Sequence, residues 1–303
     1  MNILITGGTG LIGRPLTRSL ISNGHEITVL SRSLKKVSTS PAVQSLSWDG
    51  HTVTGWGHQI NKIDAVINLA GENIGSFPWT EKRKHTFRES RLAAGNALVE
   101  AIRNAESRPG IFIQASAVGF YGPHGDDLVD ESVSPGDDFS AKLCIDWEAS
   151  TSPVEALGLR RIIIRTGVVF AMEGGVFPLM ALPVRMFVGG RLGSGMQGLP
   201  WIHIEDEVNA IRYLLENEQS HGVYNLSAPN PVSNADFTQT LAKVLHRPYW
   251  FHAPQFVIRI ALGEMSSLLI DGQYLIPKRL VEAGFNFKFI VVESALRDLY
   301  GKN

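Results

Sequence analysis

Cysteine is almost absent: Cys144 is the single thiol in 303 residues, which excludes an internal disulfide framework and any metal site built from clustered cysteines. An excess of either charge is missing too. Lys and Arg number 28 against 29 Asp and Glu, a formal net charge of -1, and no long basic run occurs, so no nucleic-acid partner is expected. No run of about 18 consecutive apolar residues is present, so no membrane-spanning helix is expected either. The nine histidines are scattered without the HExxH spacing of a zinc site. What the chain does have is core material, 44% hydrophobic residues, enough for one large domain or two smaller ones. The opening MNILITGG runs straight into an apolar stretch, without the basic start, long apolar core and small-residue cleavage site of a signal peptide. A cytoplasmic or organelle-matrix location is therefore expected.

Short β-branched apolar runs at 2–6, 26–30, 64–69, 111–115 and 160–165 predict strands, separated by helical patterns at 11–23, 80–105 and 139–157. Runs of this kind belong to parallel strands buried on both faces, and repeated strand–helix–strand units wind with one hand. The expected fold class is α/β: a Rossmann-like doubly wound parallel sheet with a smaller C-terminal substrate lobe. The Gly- and Pro-rich stretch 167–200 reads as a functional or linking loop. A helix at 205–216, a strand at 223–226 and a helix at 234–245 follow. On this reading residues 1–166 with 199–228 form a nucleotide-binding domain, and residues 167–198 with 229–303 form the substrate lobe over the carboxyl edge of the sheet.

The first predicted strand ends in Thr6, Gly7, Gly8, Thr9, Gly10, Leu11, Ile12 and Gly13. Two glycine registers fit, Gly7-x-x-Gly10-x-x-Gly13 and Gly8-x-Gly10-x-x-Gly13. Either lets the backbone turn sharply, approach a pyrophosphate and pack the next helix against the strand, with the helix N-terminus facing the anion. The motif's place, after a strand and opening a helix, gives it specificity. The end of the second strand selects the nucleotide, because a carboxylate there binds a ribose 2'-hydroxyl and an Arg accommodates a 2'-phosphate. This chain has Ser31 and Arg32, with Lys35 and Lys36 beyond, while Glu26 opens that strand rather than closing it. A charge-assisted contact from an Arg is worth about 1.5–3 kcal/mol, roughly ten- to a hundredfold in affinity. The expected cofactor is NADP. Asn68-Leu69-Ala70-Gly71 closes a further strand at the same edge, where small residues admit a cofactor ribose, and Glu72, Asn73 and Trp79 come next, either to meet substrate or as a loop that simply caps the sheet.

TGGTGLIG, the NLAG strand end, the segment from Ser116 to Tyr121-Gly122, Lys142, Arg165-Thr166-Gly167 and Trp201-Ile202-His203-Ile204-Glu205-Asp206 occur in this order. With them the chain resembles the extended short-chain dehydrogenase/reductase superfamily. More narrowly it is similar to the atypical "epimerase family protein" group, through Leu69-Ala70-Gly71-Glu72-Asn73-Ile74, Gly189-Gly190-x-x-Gly193-Ser194-Gly195-x-Gln197, Pro277-Lys278-Arg279-Leu280 and Ala283-Gly284-Phe285. The resemblance implies an NADP-bound Rossmann domain and a pocket for a small-molecule substrate between it and the C-terminal lobe. It places Ser116 and Lys142 at the superfamily's catalytic Ser/Thr and Lys positions, touching cofactor and substrate alike, with Arg165 and Glu72 at the same edge.

The superfamily's Tyr-x-x-x-Lys motif uses the Tyr as acid or base and the Lys to hold the nicotinamide ribose. Here Asp138 stands four residues before Lys142. A tyrosine starts near pKa 10 and an aspartic acid near 3.9, so an aspartic acid beside an ammonium is a poor proton donor at pH 7. Asp138 therefore reads as a helix cap or an ion-pair partner, with a catalytic acid as the alternative. Tyr121 is a substitute proton donor, or else a packed aromatic whose hydroxyl finds a partner. His203 reads as a structural hydrogen-bonded residue. Asp126, Asp127, Asp130 and Glu131 lack calcium-loop spacing and read as solvated surface. Arg165 binds substrate or cofactor, or pairs with a carboxylate. Two functions are left standing: an NADP(H)-dependent oxidoreductase or epimerase-like enzyme acting on a small carbonyl or hydroxyl compound, sugar nucleotides included, and an NADP(H)-binding regulatory or scaffold protein. Oligomeric state is open, a homodimer included.

Overall fold

The protein, described by a computed structural model over residues 1–34, 42–75 and 79–301, is built on seven parallel strands. They are β1 (Asn2–Thr6), β2 (Glu26–Ser31), β3 (Val43–Ser47), β4 (Ala65–Asn68), β5 (Ile111–Ala117), β6 (Arg160–Thr166) and β7 (Gly222–Leu226). Their order across the sheet is β3-β2-β1-β4-β5-β6-β7, so the chain reverses direction beside β1, where doubly wound sheets open a crevice at their carboxyl ends. The apolar runs become strands because both of their faces are covered: Ile3, Leu4, Ile5, Val66 and Ile67 are 0% exposed. The sheet carries one strand beyond those expected. β3, VQSLS, is a half-exposed edge strand that pairs Val43 with Ile27 and Leu46 with Leu30; with solvent on one side it needs no continuous apolar run.

Helices α1 (Gly13–Ser22), α2 (Glu81–Arg103) and α3 (Phe139–Ser150) cross between strands. α1 buries Leu16 and Leu20, one turn apart. The helical pattern at 139–157 divides in two, because Pro153 has no N–H to continue α3 and instead starts the one-turn α4 (Pro153–Ala156).

The C-terminal lobe is built from α5 (Phe177–Arg185), α7 (Asn234–Val244) and α8 (Gln255–Leu262), while α6 (Ile204–Glu216) packs back on the sheet against α1. The core of this lobe is aromatic: Phe170 stacks on Trp201 with centroids 5.3 Å apart and also meets Phe177 and Phe237. Asp206 pins the tail to α6, accepting from the backbone N–H groups of Lys288 and Phe289 at 2.9 Å each. The acidic run behaves in two ways. Asp126 and Asp127 are exposed, but Asp130 pairs with Lys278 at 3.2 Å, and Glu131 accepts from the backbone N–H groups of Asn225 and Arg279. Asp130 thus holds the tail, and Glu131 joins the tail to β7, instead of lying in solvent. No helix among the described residues is long and apolar enough to cross a membrane.

Candidate functional site

At the carboxyl ends of the central strands, polar side chains replace the apolar run. Thr6 Oγ1 donates to Asn68 Oδ1 at 2.6 Å, Asn68 Nδ2 to Gln114 Oε1 at 2.9 Å, and Gln114 Nε2 to the Ala115 carbonyl at 2.6 Å. This buried chain of bonds ties β1, β4 and β5 at one level and forms the floor of the site. Above it the glycine turn closes tightly, Gly10 N–H bonding the Gly7 carbonyl at 2.9 Å. Gly7 has φ +70°, and a Cβ there would lie 2.5 Å from the Leu69 carbonyl oxygen. A Cβ on Gly13 would lie 2.2 Å from the Gly7 oxygen. Only glycine fits at either position, and the result is a bare backbone concavity in front of the α1 N-terminus, the shape a dinucleotide pyrophosphate requires. Gly8 lies against Val29, and Thr9, Leu11 and Ile12 complete the turn.

Arg32 is exposed immediately after β2, where Ser31 is buried and bonds the Ser33 backbone. Lys35 and Lys36 lie outside the described residues. Ala70, Gly71 and Glu72 follow β4, with Ala70 N–H bonded to Asn68 Oδ1 and Glu72 N–H bonded to Ser90 Oγ.

The turn opens into a cleft of ≈ 410 Å³ between the sheet and the C-terminal lobe, bordered by Leu11 and Ile12 on one side and by Ser116, Asp138 and Trp147 on another. Ser116 is 4% exposed, and its hydroxyl donates to Glu148 Oε1 at 2.6 Å. Glu148 in turn receives a two-pronged contact from Arg165, Nε to Oε1 and NH2 to Oε2 at 2.9 Å each. Arg165 is therefore committed to a carboxylate, and its remaining NH1 donates to the Tyr121 hydroxyl at 3.0 Å. Tyr121 is 1% exposed, donates to Asn225 Oδ1 at 2.7 Å, and has its phenol pushed up by burial. Neither side chain borders the cleft. Of the two readings of each residue, Tyr121 takes that of a packed aromatic with a hydroxyl partner and not the proton donor, and Arg165 that of a carboxylate pair and not the cofactor contact; both belong to a buried network that fixes Ser116 from behind.

Lys142 is a second correction. The face of α3 turned to the cleft carries Ser140, Leu143, Cys144 and Trp147, the spacing of one helix stripe. Lys142 is exposed and does not border the cleft, because two residues on from Ser140 is roughly 200° around the helix. Asp138 borders the cleft as the α3 cap, accepting from the Ala141 N–H at 2.7 Å. The pair one turn apart on the cleft face is thus Ser140 and Cys144, and burial pushes the Cys144 thiol up to about 11. It is a neutral wall residue at pH 7.

Arg91 was not singled out from the sequence. It is 8% exposed and borders the cleft, with its guanidinium 4.6 Å from the Trp147 ring centroid and NH1 donating to the Glu72 and Phe87 carbonyls. Burial pulls its pKa down, yet a guanidinium stays charged at neutral pH. Among the described residues Arg91 Nε has no hydrogen-bond partner. A signal was present: Arg91 falls four after Phe87 and three before Ala94 on the buried stripe of α2, and a cation on an apolar stripe is there for a reason other than solubility. Of the remaining candidates, Asn73 borders the cleft, whereas Trp79 bonds the Ile74 carbonyl and packs on Phe87 and Phe139. His203 is 2% exposed and caps α6 by accepting from the Glu205 N–H, a structural part.

Behind cleft residue Thr166 lies Glu207, 0% exposed, accepting from the Thr166 hydroxyl at 2.8 Å. Burial raises its pKa from 4.5 to about 8, so the folded protein holds this proton at neutral pH whereas the unfolded chain releases it near pH 4.3. The stability tied to that proton is full below about pH 4.3 and is lost as pH rises toward about 8. Glu207→Gln, which mimics the protonated form, should therefore gain in urea midpoint over the parent as pH is raised from about 5 to about 8. A gap between the two midpoints that stays constant over that range contradicts the assignment.

The pattern of the NAD dependent epimerase/dehydratase family matches residues 3–227, and that of a domain of unknown function matches residues 253–299. The epimerase family protein YfhF of Bacillus subtilis is 39% identical over 302 residues, covering 99% of this chain and 98% of its own. The epimerase family protein SSP1921 of Staphylococcus saprophyticus is 38% identical over 297 residues, covering 98% of each. Among solved structures, human epimerase family protein SDR39U1 (isoform 2), solved with NADPH, superposes with a TM-score of 0.89 at 33% identity over 100% of both chains. UDP-glucose 4-epimerase of Thermus thermophilus, solved with NAD, covers 98% of this chain and 97% of its own at 18% identity and a TM-score of 0.78, a likeness of fold alone. The glycine turn, the sheet order and these matches agree: the chain belongs to the NAD-dependent epimerase/dehydratase family, among the epimerase family proteins.

Proposed function

We propose that the protein is an NADP(H)-dependent oxidoreductase of the short-chain dehydrogenase/reductase kind, acting on a small carbonyl or hydroxyl compound. The observation that carries this reading is that the glycine turn, through Leu11 and Ile12, and Ser116 border one cleft. Residues 7–13 would hold the pyrophosphate, Arg32 the 2'-phosphate, and Arg91 the oxygens that an exposed Lys142 leaves to another cation. NADPH solved with SDR39U1, at 33% identity, supports this choice of cofactor. When bound, the nicotinamide supplies or accepts the hydride.

The chain's own residues handle the proton. The Ser116 hydrogen is already given to Glu148, so its oxygen offers a lone pair to a substrate hydroxyl. A proton leaving that hydroxyl moves to Ser116 as the Ser116 proton moves to Glu148; in the reductive direction both return. Arg165 holds that carboxylate in place through two hydrogen bonds. Positioned proton transfer of this kind is worth about 10²–10⁴-fold.

The expected result is that purified protein binds NADPH at least tenfold more tightly than NADH, and that Arg32→Ala narrows the gap by roughly ten- to a hundredfold. Equal affinity of the unmodified protein for both, read by nicotinamide fluorescence, contradicts the cofactor assignment. A second reading, an NADP(H)-binding regulatory or scaffold protein, draws on the cleft face of α3, which carries neither Tyr nor Lys. It expects NADPH binding without turnover.

A further inference from the structure

Helix α5 buries Phe177, Ala181 and Val184, yet its outer side is apolar as well. Leu179, Leu182 and Met186 follow at spacings of three and four, which makes them one outward stripe, and all three are exposed. The stripe runs into a turn where Phe187 and Val188 are exposed too. Phe187 has φ +65°, a left-handed conformation that suits glycine and that a bulky side chain adopts only at a cost. That strained position presents a phenyl ring to solvent. Trp250 stands at the same corner, 66% exposed, its Nε1 donating to the Phe187 carbonyl at 2.9 Å. Parallel pairing of Gly189–Leu192 with Tyr249–Ala253 holds the two segments side by side. Protruding apolar side chains gathered on neighbouring segments mark an interaction surface.

Charge indicates what covers it. Residues 174–204 and 237–263, which carry this corner, contain no Asp or Glu, but they hold Arg185, Arg191, Lys243, Arg247 and Arg259, in a chain of net charge -1. All five cations are exposed. Lys243 and Arg259 pair with Glu293 and Asp271 from outside these stretches, whereas Arg185, Arg191 and Arg247 make no ion pair among the described residues. The Arg247 guanidinium lies 4.4 Å from the Phe187 ring centroid, within the apolar corner itself. A second copy of the chain is a poor occupant, because a two-fold contact would set these cations against their own images. An acidic protein would supply the charge, but it would also need shaped pockets for side chains that stand this far out. The surface of an anionic bilayer meets both needs: acyl chains accept Leu, Met and Phe without a pocket, Trp suits the headgroup level, and anionic headgroups attract Arg and Lys.

We propose that the corner formed by the outer face of α5, the turn at Phe187 and Trp250 is an attachment surface for an anionic lipid bilayer. The proposal is independent of the cofactor reading. The test sediments the full chain with vesicles of phosphatidylcholine alone and of phosphatidylcholine with phosphatidylglycerol in equal parts. Binding to the anionic vesicles should be about tenfold tighter or more, and should weaken as salt is raised. Arg185→Ala with Arg247→Ala should weaken it by about thirtyfold, and Leu182→Ser with Met186→Ser by about tenfold or more. Both double variants should keep a cooperative urea transition. If either fails to fold, the unmodified protein still decides: phosphatidylglycerol vesicles with brominated acyl chains should quench its tryptophan fluorescence, and Trp250→Phe should lose most of that quenching. Equal binding to the two kinds of vesicle, binding to neither, or anionic binding that both folded double variants retain overturns the proposal. So does a dimer in solution that Leu182→Ser with Met186→Ser dissociates.

Discussion

Glu148→Ala should lower folding stability by about 3–5 kcal/mol, the cost of stranding one member of a buried ion pair. Glu148 is 9% exposed and Arg165 is 4% exposed. Removing the carboxylate strips the guanidinium of both 2.9 Å contacts and leaves the Ser116 hydroxyl without its acceptor. Arg165 would keep its bond to Tyr121 and its place over the Phe120 ring, but neither supplies a compensating charge. The cost therefore lies in the unpaired cation more than in lost attraction, so the double variant Glu148→Leu with Arg165→Met should recover much of it. Urea denaturation of the two single variants and the double variant reads this directly. Additive losses, with the double variant no better than the sum, contradict the network.

Gly13→Ala should abolish tight nucleotide binding, lowering NADPH affinity by roughly a hundredfold or more. The added methyl would sit 2.2 Å from the Gly7 oxygen and 2.6 Å from Gly8 Cα, both fixed backbone atoms. The turn must open, and with it goes the Gly10 to Gly7 bond that shapes the concavity. Gly110→Ala is the control, since a Cβ there meets nothing within 4 Å. Fluorescence titration should find Gly110→Ala like the parent; unchanged affinity in Gly13→Ala would mean that the nucleotide binds elsewhere.

How much of this was legible in the amino-acid order follows from how locally each feature is determined. The central strands were, because burial on both faces demands an unbroken apolar run, and β1, β4 and β6 lie where such runs do. The glycine turn was, because the backbone needs are met inside eight residues. β3 was not, because an edge strand alternates polar and apolar residues and VQSLS resembles a loop. Lys142 shows a subtler limit. Its distance from Asp138 along the chain is given, but which stripe of α3 meets the cleft is decided by packing of the whole helix, through Trp147 and Leu143. Asp138 then serves as the cap that starts the helix. Glu148, Arg165 and Tyr121 are remote from one another along the chain and form one network only when the segment after β5, α3 and β6 come together. Gln273 lies between segments with no periodic signal, so its contact with Val118 could not be anticipated.

Hydrogen–deuterium exchange with and without NADPH tests the central claim most directly, since it reports where on the chain the nucleotide sits. Slowed exchange should be confined to the amides of residues 7–14, those just after β2, and those bordering the cleft after β5 and β6. A chain whose glycine-turn amides exchange at the same rate with saturating NADPH present, or whose protection lies on another face, would contradict it.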